Sequence, residues 1–362
     1  MSIEMQTVSL SEAKQSVLEF GAEVPTFLCG EPGIGKTAMG REVANELGYE
    51  YAPIDCATLE LGDLGTPHQN KEAGCTEFLP NARFGLHKGK DVVMLLDELT
   101  KSPRPVMNML MPTFNDRRLY DKYVTDKSIV FATGNLSGDG VGDNMPPHFI
   151  SRINWLNVRK PNAEEWCEWG RSHNQHPTLM AWVIKNPHCL QSYTDFSDKD
   201  FNSKAPPNPY IFFPQLPKRS FVAPRSLARA SIILHKRDRL PEHLIHANLV
   251  GTIGASAAAD LQAYSTVEKE LEDWAVIERD PNNSKIPENP IAVCILVQQA
   301  MMRAGKDNLT AIVKYVKRLP RESQALFGTN LYKIKDKRDI AIRNTEFAKW
   351  AVENHWMLPD VK

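Results

Sequence analysis

The chain has 362 residues, a mass of 40.8 kDa and a formal net charge of −1, from 43 Lys and Arg against 44 Asp and Glu residues. At roughly 150 residues per domain, this length predicts two or three domains whose cores need no disulfides. The near-zero charge argues against a general polyanion binder, and 42% hydrophobic with 24% charged residues excludes wholesale disorder.

The first 160 residues alternate short apolar runs with helix-like stretches. Near-continuous apolar runs are typical of strands covered on both faces, and Ala38–Leu47, ended by Gly48, is predicted as a crossover helix. The predicted strands are Thr26–Cys29, Tyr51–Asp55, Asp91–Leu96, Ser128–Thr133 and Asn154–Val158. Repeated strand–helix–strand units predict an α/β fold with a mostly parallel sheet.

The pattern becomes helical after Lys160-Pro161. Tyr193–Pro217 lacks periodicity and predicts a long ordered loop or a flexible excursion, and Asp280–Pro290 predicts a linker or turn. The predicted helices are Glu164–Ser172, Pro177–Ile184, Pro224–Leu234, Leu249–Tyr264, Pro290–Ala304, Asn308–Arg318 and Glu346–Glu353. One α/β domain followed by helical material is therefore expected.

The strongest motif is GEPGIGKT at residues 30–37. It follows an apolar strand and opens a helix, which is the context that a phosphate-binding loop requires. Its glycines let backbone N–H groups turn toward phosphates, Lys36 can reach the β- and γ-phosphates, and Thr37 can offer a hydroxyl to Mg²⁺. The predicted ATP-binding residues are Gly30, Glu31, Pro32, Gly33, Ile34, Gly35, Lys36 and Thr37. The alternative is a glycine-rich turn that binds nothing.

A second motif ends the apolar run Val92–Leu96 with Asp97-Glu98. The carboxyl ends of parallel strands form the edge where α/β sheets bind ligands. Asp97 is predicted to bind Mg²⁺ together with Thr37, and Glu98 to polarise the attacking water as general base or orienter. Such a pair can also be a helix cap or a solvated edge, but the loop upstream favours the catalytic interpretation.

Three further residues are candidates for contact with the γ-phosphate. Asn135 follows another apolar run, although a turn asparagine is a common alternative. Arg152 and Arg225 could each stabilise charge that develops in phosphoryl transfer, although most arginines are solvated or salt-bridged at the surface.

Other patterns do not support a metal site or a nucleic-acid tract. The basic stretch Lys333–Arg343 is interrupted by acidic residues, which favours a solvated helical face. A group of Cys and His residues is considered as a zinc site, but its spacing matches no common zinc finger or ribbon. The group is Cys167, His173, His176, His188 and Cys189.

The motifs together resemble the AAA+ ATPases, and within them the MoxR group. GEPGIGKT, LLDELTKSP, VFATGN and MPPHFISR occur in the family's order, and Gly62–Pro67 with Glu77–Pro80 is similar to its inserted hairpin. The resemblance covers Val24 to about Tyr264. It departs in the sequence Leu-Thr-Lys at residues 99–101, where the family more often has Ile-Asn-Arg, and in the excursion at residues 193–217.

The resemblance implies a P-loop NTPase (AAA+) parallel sheet core in residues 1–160. It also implies an α-helical lid with an inserted loop in 161–280 and a helical C-terminal extension in 281–362. Lys36, Thr37, Asp97 and Glu98 take the family's Walker A and Walker B positions. By the same resemblance, Asn135 is the first sensor, Arg152 is the trans-acting finger and Arg225 is the second sensor on the lid.

The resemblance further implies ATP hydrolysis in a homo-oligomeric ring, expected to be hexameric, that remodels or activates a partner protein. A von Willebrand A-domain protein is one candidate client, and the chain has no Asp-x-Ser-x-Ser motif of its own. The alternatives are a DNA-acting AAA+ motor or clamp-loader-like ATPase, a monomeric P-loop kinase and a nucleotide-gated scaffold. The net charge argues against nucleic acid, and Glu98 argues against the scaffold. Three features predict a cytoplasmic protein without a membrane partner. They are six cysteines without a CxxC pair, a start unlike a signal peptide and the absence of an apolar run of about 20 residues.

Overall fold

The structure is a computed structural model that describes residues 6–136, 145–197, 206–216 and 218–355. The chain divides into two compact units. The first contains the residues up to Pro161 together with Pro214–Leu216, and the second contains the remaining residues from Asn162 on.

The first unit is built on a parallel sheet, as predicted. Its strands are β1 (Thr7–Val8), β2 (Thr26–Cys29), β3 (Glu50–Asp55), β6 (Val92–Asp97), β9 (Ile129–Gly134) and β10 (Asn154–Val158). They pair in the order β1-β10-β2-β9-β6-β3. Two antiparallel hairpins accompany the sheet: β4 (Gly65–Asn70) with β5 (Cys75–Pro80), and β7 (Arg118–Leu119) with β8 (Lys122–Tyr123). The first hairpin confirms the insertion expected from the family resemblance.

Helices cover both faces of this sheet. They are α1 (Leu10–Phe20), α2 (Lys36–Leu47), α3 (Leu61–Leu64), α4 (Arg104–Asn115) and α5 (Pro147–Ile150). Successive residues of β6 point to opposite faces. Met94 packs in one core with Leu110 of α4, and Leu95 packs in the other with Val43 of α2. This burial on both sides explains why the strands are almost continuously apolar.

The second unit is helical in its described residues. Its helices are α6 (Ala163–Ser172), α7 (Pro177–Lys185), α8 (Pro224–His235), α9 (Glu242–Ile253), α10 (Ala255–Lys269), α11 (Trp274–Arg279), α12 (Pro290–Arg303), α13 (Leu309–Val316), α14 (Arg321–Lys333), α15 (Lys335–Arg343) and α16 (Thr345–Glu353). It has two hydrophobic cores, and α12 contributes Ile295 to one and Leu296 to the other. The proposed division near residue 280 stays a prediction.

The single helix predicted at Leu249–Tyr264 is wrong. Gly254 has φ 89° and ψ 159°, which ends α9 and begins α10. A Cβ at this position would lie 3.1 Å from the Ser220 carbonyl oxygen, so glycine also permits a close backbone approach. The continuous apolar and alanine-rich pattern concealed this break.

The predicted excursion Tyr193–Pro217 contains a packed segment. Tyr210, Ile211 and Phe213 are buried in the same core as Trp182 of α7. Residues 198–205 and 217 lie outside the described residues. The described part therefore matches the ordered-loop alternative.

No helix in the described ranges combines the length and the apolar character that a membrane span requires.

Candidate active site

The candidate site lies where three neighbouring strands end. β9 pairs with β2 on one side and β6 on the other, and all three run in parallel. Their carboxyl ends therefore meet at one edge of the sheet. The register places Cys29 beside Gly134, and Leu96 beside Ala132. The loop at 30–37, the Asp97-Glu98 pair and Asn135 each follow one of these strand ends.

The backbone of the 30–37 loop depends on glycine at two places. A Cβ on Gly30 would lie 2.4 Å from the carbonyl oxygen of Val158 in β10, so a side chain there would displace the loop from the sheet. Gly35 has φ 114° and directly precedes α2, a conformation that L side chains rarely adopt. The loop therefore turns sharply into the helix N-terminus, where N–H groups and the helix dipole favour an anion.

Lys36 connects this loop to the predicted first sensor. The side chain is 7% exposed, and its Nζ donates hydrogen bonds to the carbonyl oxygens of Gly30 at 2.6 Å and Glu31 at 2.9 Å. It also donates to Asn135 Oδ1 at 3.2 Å. The structure thus brings Lys36 and Asn135 together, although 99 positions separate them in the sequence.

Asp97 accepts hydrogen bonds from two hydroxyl groups. Thr37 Oγ1 donates to its Oδ2 at 2.8 Å, and Thr133 Oγ1 donates to its Oδ1. The Thr133 hydroxyl also accepts the Glu98 backbone N–H at 3.1 Å. Thr133 is 1% exposed and was not predicted as a site residue. A threonine at the end of an apolar strand, two positions before Asn135, was the available signal.

Glu98 has an unusual backbone and a cationic partner. Its φ of 52° is left-handed, which is uncommon for a residue other than glycine and recurs at functional sites. Its carboxylate accepts a hydrogen bond from Lys101 Nζ at 2.6 Å. Lys101 lies in the segment where the sequence departs from the MoxR pattern, and sequence analysis assigned it no role.

Two of the residues predicted to bind ATP have side chains that face the protein. Glu31 is 7% exposed and forms a buried ion pair with Lys160 at 3.5 Å. Ile34 is 2% exposed and packs in the core that contains α1 and α2. Both residues can contribute backbone groups to the loop, whereas their side chains hold it against the domain.

The two candidate arginines belong to other elements of the chain. Arg152 follows α5, is exposed, and lies with its Nη1 3.0 Å from Met111 Sδ. Arg225 is exposed on the first turn of α8, in the second unit. Their roles as trans-acting finger and second sensor stay predictions.

The half-buried carboxylate of Asp97 affects a neighbouring phenol. Tyr51 donates from its hydroxyl to the Thr37 carbonyl oxygen at 3.1 Å. Burial, and secondarily the charge of Asp97, raises the pKa of Tyr51. Tyr51 therefore remains a neutral hydrogen-bond donor that supports the first turn of α2.

The described residues contain no cluster of three or more His, Cys, Asp or Glu side chains that could hold a metal ion. The five residues considered for zinc are thus not assembled into a metal centre there. The Thr37–Asp97 pair is a different kind of site, with two oxygen ligands that would require further oxygens from nucleotide and water.

Known proteins resemble parts of this chain. The Lon protease of Azorhizobium caulinodans is 24% identical over 158 residues, which are 40% of this chain and 18% of that protein. The chain thus spans less than a fifth of the length of this relative.

Two solved structures are also similar. The RuvB Holliday junction branch migration motor of Thermotoga maritima has 15% identity and a TM-score of 0.34, covering 74% of this chain and 75% of RuvB. A candidate ATPase of Cytophaga hutchinsonii has 15% identity and a TM-score of 0.35, covering 72% of this chain and 89% of that protein.

A family model matches the segment that carries the candidate site. Residues 26–154 match the AAA family, the ATPase family associated with various cellular activities. This segment contains the phosphate-binding loop, the Asp97-Glu98 pair, Asn135 and Arg152. Residues 26–154 therefore form an ATP-hydrolysing domain of the AAA family.

Proposed function

We propose that the protein is a MoxR-type AAA+ ATPase that couples Mg-ATP hydrolysis in a ring oligomer to the remodelling or activation of a partner protein. The observation that carries the catalytic part is the pairing of Thr37 with Asp97 and of Lys36 with Asn135 across three adjacent strand ends. The β4–β5 hairpin after β3 supports the assignment to the MoxR group.

The donor set fits ATP and Mg²⁺. Lys36 supplies an ammonium group beside a loop that Gly30 lets lie against β10 and that Gly35 turns into the N-terminus of α2. Thr37 Oγ1 and Asp97 Oδ2, 2.8 Å apart, are hard oxygen ligands of the type that Mg²⁺ prefers. When bound, Mg²⁺ would neutralise phosphate charge and help to orient the nucleotide.

The protein residues divide the remaining work. Glu98 orients the attacking water and accepts its proton, which requires a carboxylate free of the metal ligand set. Asn135 positions the water or the γ-phosphate from the neighbouring strand end. Thr133 joins the two acidic residues because its hydroxyl contacts both the Asp97 side chain and the Glu98 backbone.

In the proposed ring, a neighbouring subunit contributes an arginine to the site. Arg152 is exposed after the short helix α5, as a group that acts on a neighbouring subunit would need to be. We assign it to the γ-phosphate of the adjacent subunit, and Arg225 to the second sensor. A separate protein, such as one with a von Willebrand A domain, would be the client.

Two substitutions test the catalytic part. Lys36→Ala should abolish ATP binding because the phosphates lose their cationic partner. Glu98→Gln should bind ATP but lower turnover by roughly 10²-fold or more, since the amide cannot accept the proton. Titration calorimetry and phosphate release distinguish these outcomes. Near-normal ATP affinity in Lys36→Ala, or parental turnover in Glu98→Gln, would contradict the assignments.

The same Glu98→Gln variant tests the partner. Held with ATP, it should co-purify with a specific protein that is released when ATP is removed and that Lys36→Ala does not retain. Stimulation of the parental ATPase by DNA, persisting across several salt concentrations, would instead support the DNA-acting alternative.

A further inference from the structure

The Glu98–Lys101 ion pair is a distinctive contact at the catalytic edge, by which we mean the sheet edge where β2, β6 and β9 end. Lys101 Nζ lies 2.6 Å from Glu98 Oε2, while the two side chains are 25% and 38% exposed. Ion pairs with this exposure contribute little to folding stability because water screens both charges. A short contact on the catalytic carboxylate therefore calls for an explanation other than stability.

The backbone around this pair is held in place. Glu98 is fixed in its left-handed conformation by the hydrogen bond from its N–H to Thr133 Oγ1 at 3.1 Å. A 3₁₀ turn follows over Leu99–Lys101, in which the Lys101 N–H donates to the Glu98 carbonyl oxygen at 2.8 Å. Leu99 and Thr100 are buried, which anchors the turn. Both side chains thus start from fixed positions.

The pair is compatible with a loaded site. Phosphate and Mg²⁺ would engage Lys36, Thr37 and Asp97, and neither Lys101 nor Glu98 belongs to that set. Nucleotide binding therefore does not require the Glu98–Lys101 contact to break. An ammonium group on one carboxylate oxygen restricts the side-chain rotation of Glu98 and leaves the other oxygen available to water.

We propose that Lys101 is a positioning residue that holds the Glu98 carboxylate in the orientation needed to activate water. This inference rests on the proposed role of Glu98. Because Lys101 acts through Glu98, its removal should slow the chemical step while leaving ATP binding nearly unchanged. Misplacing a reacting group by about 1 Å can cost up to roughly 10²-fold in rate.

The test is the ATPase activity of Lys101→Met. We expect kcat to fall by about tenfold or more with KM for ATP within about twofold of the parental value. Lys101→Arg, which retains a cation, should recover most of the loss. Lys88→Met is the matched control because Lys88 pairs with Glu50 at the same 2.6 Å, outside the catalytic edge. It should keep parental turnover.

A second arm separates positioning from a general structural effect. In a Glu98→Gln background, Lys101→Met should cause no further loss, measured as single-turnover phosphate release with excess protein. Three results would each overturn the proposal. They are parental turnover in Lys101→Met, a tenfold loss of turnover on adding Lys101→Met to the Glu98→Gln background, and a loss of turnover in Lys88→Met equal to that in Lys101→Met. Parental turnover in Glu98→Gln alone would overturn the role of Glu98, and with it this inference.

Discussion

Asp97 and Glu98 are sequence neighbours with different surroundings. Asp97 ends β6 and receives hydroxyl groups from Thr37 and Thr133, whereas the left-handed backbone of Glu98 directs its side chain to Lys101. A carboxylate among hydroxyl oxygens suits metal binding, and a separately held carboxylate suits proton transfer. The backbone change between the two residues therefore separates their chemistry.

Sequence predicted most of this cluster but not its connections. The phosphate-binding loop, Asp97-Glu98 and Asn135 each follow an apolar run, so their positions at strand ends were predictable. Thr133 and Lys101 were not, because a threonine or a lysine carries little information by itself. Their roles depend on the register between β6 and β9 and on the 3₁₀ turn after β6.

A buried histidine in the second unit should make stability depend on pH. His176 begins α7, is 7% exposed, and accepts the Thr178 N–H at Nδ1. Burial lowers the pKa of His176 to about 4, with Glu268 opposing the shift and Arg237 and His235 adding to it. Since the ordinary pKa is about 6.5, the unfolded chain is protonated first as pH falls. Stability is then lost progressively between about pH 6.5 and pH 4.

His176→Asn provides the comparison for this prediction. Asparagine can still accept a hydrogen bond at the helix start but does not titrate. Between about pH 7.5 and about pH 5.5, the parental protein should lose about 1 kcal/mol more unfolding free energy than the variant, measured by urea denaturation. Parallel losses in the two proteins would show that folding does not lower the pKa of His176.

The elements show where sequence patterns are sufficient and where they fail. Five apolar runs predicted the five longer strands of the sheet, and the signal is strongest in β2, β6 and β9, which are buried on both faces. β1 escaped prediction because its residues Thr7–Val8 are too few to show a period. The break at Gly254 escaped because glycine within an apolar helical pattern is compatible with either a helix or a cap.

Helix packing at Gly328 gives a prediction at this scale. A Cβ on Gly328 of α14 would lie 2.1 Å from the ring of Trp350 in α16. Trp350 is 3% exposed and donates from Nε1 to Gln324 Oε1 at 3.1 Å, so the ring has little freedom to move. Gly328→Ala should therefore destabilise the protein by about 1–2 kcal/mol, because overpacking exceeds the gain in helix propensity.

Gly251→Ala in α9 is the matched control. Apart from its chain neighbours and the nearby backbone of α9, no heavy atom of the described residues lies within 4 Å of the position of its Cβ. Only helix propensity then applies, and the variant should be more stable by up to about 1 kcal/mol. Thermal denaturation of both variants measures the difference. Equal stabilisation by the two alanines would mean that α16 adjusts without cost.

At the scale of the whole molecule, most of the proposed catalytic residues belong to one unit and a candidate sensor to another. The described part of the first unit contains the P-loop, Asp97, Glu98 and Asn135, whereas Arg225 belongs to the second unit. Phosphoryl transfer in P-loop NTPases commonly uses an arginine to stabilise developing charge. A neighbouring copy of this chain can supply that group through Arg152.

Mixing two inactive variants tests this assembly. Arg152→Ala should bind ATP normally yet hydrolyse it more slowly by on the order of 10³-fold, the effect of losing an arginine finger. Lys36→Ala has a defective pocket but an intact Arg152. A mixed ring places that arginine beside the intact pocket of an Arg152→Ala subunit, so phosphate release should recover to a level that neither variant reaches alone. Co-assembly is verified by capture through a tag on one variant. Proven mixed rings without recovered hydrolysis would argue against action in trans, and parental turnover in Arg152→Ala alone would make it an ordinary surface arginine.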